Sequence, residues 1–291
     1  MEELTEFRRR LENCFPNLTK SEQRIASYLL ANHDEAAFLP AAELAQRLDV
    51  SEATVVRFAR SIGYDGFPEL RRALQGIFRV KVTPATRLQH TLAELGSSPG
   101  HVLTKMVDME VQYLTEALHS VQPADFDRAV EIILSAKRLF VFGTGPSRIL
   151  ADLVLIRLRR FGIPVITMTE SGRDILEELQ LLQLQDVVLA TGFHRITGEL
   201  AAVMDYARSL GCRIIFITDT LGPHFKNKAD VILSALRGPV STFHSLAVPM
   251  TILNALILAV AMARPQESLT ALDRLQQMRA AYGLDYLANS K

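Results

Sequence analysis

At 291 residues the chain is long enough for two domains, and with 48% hydrophobic residues it can bury a sizeable core, which excludes wholesale disorder. Its formal net charge is zero, so no global basic signature marks a nucleic-acid binder, and any such surface has to be local. The two cysteines, Cys14 and Cys212, stand far apart without metal-ligand spacing; they exclude a disulfide scaffold and a zinc site and suit a reducing cytoplasm.

Residues 1–14 are charged from the start and lack the apolar segment of a signal peptide, so a cytoplasmic protein is expected. The first eighty residues hold no convincing strand. A helix is predicted after the Thr19…Glu22 capping box, carrying Ile25, Tyr28 and Leu29 at helical spacing. A second opens at Pro40 with Leu44, Ala45 and Leu48, and a third spans about 51–62 with Gly63 as its stop. Asp65-Gly66 is a turn, and Phe67-Pro68 begins a fourth helix through about residue 78. Residues 82–100 hold breakers, Thr83-Pro84 and the Gly96–Gly100 cluster, and read as a linker. A connecting helix over 101–120 follows.

Residues 41–60 have the spacing of two helices joined by a tight turn. Leu44, Leu48, Val55 and Phe58 face inward, Ala45 sits where the helices cross, and Val50 plugs the turn, where Asp49 replaces the usual glycine. Ser51 can cap the second helix. With Val55 and Phe58 inward, Glu52, Ala53, Thr54, Arg57 and Arg60 turn outward, as in a recognition helix docked in a major groove. Arg57 suits a guanine edge or a phosphate, and Thr54 a thymine methyl or a backbone oxygen. Lys20, Arg47, Arg71 and Arg72 suit phosphate contacts. Between Ser51 and Arg87 there are seven basic and three acidic residues, a local surplus of four. A small helical bundle with a solvated basic face fits the same pattern.

The longer run over residues 18–75 resembles the DNA-binding domain of the RpiR family of bacterial regulators. The resemblance is carried above all by Ser51-Glu52-Ala53-Thr54-Val55-Val56-Arg57-Phe58 and Gly63-Tyr64-Asp65-Gly66-Phe67. It spans about residues 1–78 and implies binding to double-stranded DNA.

From residue 125 the pattern becomes short apolar runs alternating with helices: 139–142, 165–168, 187–190, 214–217 and 231–233. Runs apolar on both faces imply a five-stranded parallel sheet covered on both sides, a three-layer α/β domain. After the first strand comes Gly143-Thr144-Gly145-Pro146-Ser147, then a helix near Arg148. Glycines there admit an anion to the backbone, the helix start offers N–H groups, and Ser147 adds a hydroxyl. A dinucleotide fold is the rival reading, with Glu170 on a ribose. Arg148 at the third glycine position and the late placement of Glu170 weaken it. The apolar run 246–263, interrupted by Pro249, reads as a core helix or a short membrane span, the core helix being the better match. After Pro265, Leu269, Leu272, Leu275 and Met278 recur at helical spacing, as in a terminal amphipathic helix at a subunit interface.

RpiR-type regulators carry a sugar isomerase (SIS) domain in this position, and residues 125–265 resemble one. The chain then divides as 1–80 helix-turn-helix, 81–124 linker and connecting helix, 125–265 SIS domain, and 266–291 helical tail. The matching pieces are the first loop, Leu158-Arg159-Arg160-Phe161-Gly162 and Ile217-Thr218-Asp219. The third loop departs. Counting from Asp186, Thr197 and Glu199 match the family's Thr and Glu, while Gly192 and His194 stand for its two serines and Arg195 for its glycine. His194 and Arg195 could grip an anion in place of the lost hydroxyls, or could block the pocket. Ser241, with Thr242 and Ser245, could reach the ligand or cap the next helix. The histidines lack metal spacing, and neither a metal nor a cofactor is expected.

The resemblance implies a regulator sensing a small anionic metabolite, a phosphosugar or related carbohydrate derivative. It would act as a homodimer or tetramer on a pseudo-palindromic operator, without a membrane partner. Two alternatives remain. One is a sugar-phosphate isomerase fused to a nucleic-acid module, with Glu170, Glu199 or His194 as its base. The other is a dinucleotide-responsive regulator.

Overall fold

The computed structural model describes residues 2–36, 39–81, 84–95, 99–238 and 243–284, and the chain divides into two compact units, one built on Met1–Ser97 and the other on Ser98–Gly238 and His244–Lys291.

The N-terminal unit is all helical among the described residues. Its helices are α1 Glu2–Cys14, α2 Lys20–Ala36, α3 Ala41–Arg47, α4 Glu52–Ser61, α5 Phe67–Lys81 and α6 Pro84–Leu95. Two were not anticipated: α1, whose charged sequence hides Phe7 and Leu11, both buried in the core, and α6, which lies within the stretch read as linker. Helix α5 also runs three residues beyond its expected end. The capping box forms as expected: Thr19 N–H donates to Glu22 Oε2 at 2.9 Å, and Glu22 N–H to Thr19 Oγ1 at 3.4 Å. One core joins α1 to α5, with Phe7, Leu11, Ile25, Leu29, Leu44, Val55, Phe58 and Leu70 buried in it.

The second unit opens with α7 Pro99–Ser120, two residues longer at its start than expected, and α8 Pro123–Ser135. Strands β1 Leu139–Phe142, β2 Val165–Met168, β3 Val187–Thr191, β4 Arg213–Thr218 and β5 Val231–Ser234 form one sheet, all parallel, in the order β2-β1-β3-β4-β5. The expected three-layer domain with five parallel strands is what the chain builds. Alternate residues of each strand enter two different cores. Leu139, Val141, Leu189, Ile215 and Ile217 pack beneath α8, α9 (Arg148–Arg160) and α13 (Ala247–Ala263). Phe140, Phe142, Val188, Ala190, Ile214 and Phe216 pack beneath α10 (Ile175–Leu179), α11 (Gly198–Ser209) and α12 (Gly222–Phe225). At the amino edge Arg138 grips Asp186 with both Nε and Nη2, at 2.9 and 2.6 Å, and so fixes the starts of β1 and β3 together.

The apolar run 246–263 is α13, which buries Val248, Ile252, Leu253, Leu256, Ile257 and Val260. No single helix among the described residues is long and apolar enough to cross a membrane. Pro265–Ala281 forms α14.

Candidate functional sites

The DNA-facing candidates are organised by the N-terminus of α4. Ser51 caps it, accepting Thr54 N–H at 3.1 Å, and its Oγ meets Thr54 Oγ1 at 2.8 Å. Arg57 Nη2 donates to the same Thr54 hydroxyl at 3.2 Å. Thr54 is therefore half-buried and engaged with the cap, while Arg57, Glu52 and Arg60 stay exposed. Arg60 Nε donates to Asp65 O at 3.2 Å, tying the end of α4 to the following turn, so its role is in part structural. Lys20 is exposed at the start of α2, and Arg47 is exposed with Nη1 2.9 Å from the Tyr28 hydroxyl. Arg71, on α5, is half-buried. The turn before α4 takes the left-handed conformation that usually calls for glycine, with Asp49 at φ 49°, and Arg24 Nη2 donates to its carbonyl at 3.3 Å. Sequence spacing did not reveal Arg24, nor Ser61, whose hydroxyl donates to Glu22 Oε1 at 3.1 Å and links α4 to α2. Hydrogen bonds to Glu22, led by the Thr19 backbone N–H, outweigh burial and hold its carboxyl below the usual range.

In the second unit, strand order reverses between β1 and β3, with α9 on one face and α11 on the other. Open α/β sheets leave a crevice at the carboxyl ends of the strands at such a point. The loops after β1 and β3 meet there. Gly143 is buried against them: a Cβ on it would stand 2.5 Å from Ser147 O and 3.0 Å from Thr191 Oγ1. Thr144 and Ser147 are half-exposed, and Gly145 is exposed with φ 56°. The start of α9 is less open than a bare helix end, because residues Gly145–Ser147 form a 3-10 turn and Ser147 N–H returns to Thr144 O at 3.2 Å. Glu170 is exposed beyond β2, and its charge, after burial, helps push the nearby Glu178 carboxyl up.

The third loop is built differently from the hydroxyl cradle it resembles. A Cβ on Gly192 would lie 2.7 Å from Leu200 Cδ2 and 3.3 Å from Phe216 Cε2, so a side chain there would have to displace that of Leu200. His194 takes a left-handed φ of 64° and turns inward, with its side chain only 10% exposed. Its backbone N–H donates to Asp219 Oδ1 at 3.1 Å, and its Nδ1 lies 2.8 Å from Asp219 Oδ2. Arg237 closes the group, with Nη2 2.8 Å from His194 Nε2 and 3.4 Å from Asp219 Oδ2, and its guanidinium 3.7 Å from the Phe193 ring centroid. The His244 ring stacks at 3.8 Å on that of His194. Burial pushes the Asp219 carboxyl up, but the His194 ring, through hydrogen bonding and charge, and then the Arg237 guanidinium outweigh it and hold the acid well below the usual carboxylate range.

Of the two residues expected to replace the lost serines, then, His194 is consumed inside the protein. Arg195 is exposed, and its guanidinium makes no hydrogen bond or ion pair among the described residues. Thr197 is the N-cap of α11, accepting Leu200 N–H at 3.2 Å. Glu199 accepts Gly172 N–H at 3.0 Å, a bond that leads in lowering its pKa and ties the loop after β2 to the start of α11. Ser241 and Thr242 lie outside the described residues. Asp219, Arg237 and His244 form a cluster that sequence reasoning did not assemble. The one available signal was an arginine closing the apolar stretch after β5.

Comparison with known proteins agrees with this architecture. Residues 5–80 match the model of the helix-turn-helix domain of the rpiR family, and residues 132–259 match the SIS domain. A Haemophilus influenzae protein named as an uncharacterized HTH-type transcriptional regulator is 26% identical over 226 residues, 77% of each chain. The bifunctional protein glk of Burkholderia orbicola is 30% identical over 217 residues, 74% of this chain but 33% of that protein, so the chain spans a third of its length. Among solved structures, the Vibrio vulnificus NanR protein complexed with ManNAc-6P aligns with TM-score 0.57 at 20% identity, over 96% of this chain and 98% of that one. The sugar isomerase domain of a Sphaerobacter thermophilus RpiR transcription factor aligns with TM-score 0.57 at 23% identity, over 60% of this chain and 98% of that one. At such identities the two structures speak for the fold alone.

A helix-turn-helix domain followed by a SIS domain defines the class, a two-domain regulator of transcription. Within that class, the chain belongs to the RpiR family.

Proposed function

We propose that the protein binds operator DNA through α4 and that its SIS domain senses a small anionic carbohydrate derivative, a phosphosugar being the leading candidate. The observation that carries the DNA half is the α4 surface, where a capped helix start presents an exposed Arg57 held by Thr54. A bidentate arginine or a phosphate clamp suits that placement. For the effector half, the crevice between β1 and β3, the Ser147 hydroxyl and the unpaired Arg195 guanidinium support an anion. The NanR neighbour, in complex with ManNAc-6P, supports a phosphosugar by analogy of fold.

The isomerase reading has less behind it. Glu199 holds Gly172, and His194 is bound to Asp219 and Arg237, so two of its three candidate bases are already engaged. Turnover of pooled sugar phosphates, lost in Glu199→Ala, would restore it. A pair of subunits on a pseudo-palindromic site in the cytoplasm is part of the same proposal.

The deciding experiment is a footprint on the DNA flanking the protein's own gene, with and without sugar phosphates. A protected region whose occupancy changes with one of them is expected. Absence of any protected region at low salt would sink the DNA half, and protection indifferent to every sugar phosphate would sink the effector half.

A further inference from the structure

At the start of α4 the polar side chains converge on Thr54. Ser51 Oγ accepts the Thr54 N–H at 3.1 Å and meets Thr54 Oγ1 at 2.8 Å, so the threonine hydroxyl has a fixed place on the helix surface. Thr54 is β-branched, which leaves its side chain few rotamers with which to abandon that place. Arg57, almost one turn on, donates from Nη2 to the same hydroxyl at 3.2 Å. The bond runs back toward the amino end of α4, the end that a docked recognition helix presents to base edges. From the other side the Ser61 hydroxyl lies 3.2 Å from Arg57 O and 3.1 Å from Glu22 Oε1, which ties the turn bearing Arg57 to α2. The arginine is thus held at its backbone and at its head while its side chain stays exposed.

We propose that Thr54 is a positioning residue: its hydroxyl gives the Arg57 guanidinium the direction needed to read a guanine edge, and it contributes to operator discrimination only through that arginine. This deepens the reading of α4 as the DNA-facing helix and rests on it. The sequence pattern allowed Thr54 a thymine methyl or a DNA backbone oxygen of its own. A hydroxyl engaged by Ser51 and Arg57, on a half-buried side chain, is badly placed for either. A guanidinium has more N–H groups than the Thr54 bond uses, so a pair remains for the two acceptors, O6 and N7, of guanine. Orientation separates a base contact from a phosphate contact. A base edge is read by two directed hydrogen bonds in one plane, which a guanidinium swinging freely on its long stem meets only at an entropic cost. A phosphate is held mainly by charge, and that charge is the same wherever the guanidinium points. A neutral hydroxyl that fixes direction without altering charge therefore serves the first and adds little to the second.

Fluorescence anisotropy of the full-length protein, with the duplex protected in the footprint and a scrambled duplex of equal length, tests the assignment. Thr54→Val exchanges the hydroxyl for a methyl and keeps the β-branch. It should lower the ratio of operator to scrambled affinity about tenfold, with binding to the scrambled duplex unchanged. Thr54→Ser, which keeps the hydroxyl, should restore most of that ratio. In an Arg57→Ala background Thr54→Val should cost nothing further, as a double-mutant cycle requires of two residues acting as one. Thr54→Ala takes the place of the valine variant should that one fold poorly. Equal losses on both duplexes, no loss in Thr54→Val, or the full loss persisting without Arg57 would each overturn the assignment while α4 stays at the interface. The reading of α4 fails by a different result, operator binding unchanged in Arg57→Ala, and would take the assignment with it.

Discussion

At the scale of single residues, two arginines carry most of the functional argument. Arg57 is exposed and held on the Thr54 hydroxyl, a position that orders the guanidinium before it meets DNA. Arg57→Ala should weaken specific operator binding by about 1–3 kcal/mol while leaving the thermal unfolding midpoint in place. A gel shift with operator and scrambled DNA measures it, and equal binding by variant and native protein would remove α4 from the interface. Arg195 is the complementary case in the SIS domain. Ser147→Ala combined with Arg195→Ala should abolish the effector's influence on DNA binding and leave binding itself intact. Anisotropy titrations with and without sugar phosphate would read this out, and a persisting response would place the pocket elsewhere. His194 was open to two readings from the sequence, an anion grip or a block. Its ring is engaged by Asp219 and Arg237, partners 25 and 43 residues away, which no local spacing could have announced.

Elements were legible where local chemistry decides them. The capping box at Thr19 and Glu22, the Ser51 cap and the five strands all follow from short-range patterns, and they are where the sequence puts them. Helix α1 was not legible, because Glu2–Cys14 is mostly polar and depends on burying Phe7 and Leu11 against other helices. Helix α6 was masked by the proline and glycine breakers on either side of it. Glu22 also does more than its motif announces: it caps α2 and receives Ser61 from α4. Because its folded pKa is depressed, its contribution is present above the unfolded carboxylate value and is lost as pH falls through the folded one. Native protein should therefore lose stability on acidification more steeply than Glu22→Gln, as followed by helical circular dichroism of thermal melts between about pH 6 and pH 3. Parallel curves for the two proteins would remove Glu22 from the account.

For the whole molecule, the SIS domain presents apolar surface that one copy leaves uncovered. Helix α13 is apolar apart from Thr251 and Asn254, yet Leu258 and Met262 are 68% and 78% exposed, and on α7 Leu103, Val107, Val111 and Leu118 are exposed along one stripe. Helices apolar on every side belong in an interior, which supports the proposed pairing of subunits. Leu258→Glu should shift the protein toward monomer in light scattering and reduce binding to a two-half-site operator more than to a single half-site. An unchanged mass would move the interface to another face. Salt supplies a second check on the DNA half, since operator affinity should fall steeply as ionic strength rises.

The strand order also bears on how the SIS domain is made. Strand β1 pairs first with β2, the next strand synthesised, and β3, β4 and β5 then add in turn on the other side of β1, each beside a strand already present. No strand has to be inserted between two finished neighbours. Growth of the sheet can therefore keep pace with the ribosome, one edge advancing as the chain emerges, with α13 arriving last to cover the face shared with α8 and α9. A nascent chain arrested before α13 would hold a paired sheet whose α8–α9 face is still partly open to water, the stage most exposed to aggregation.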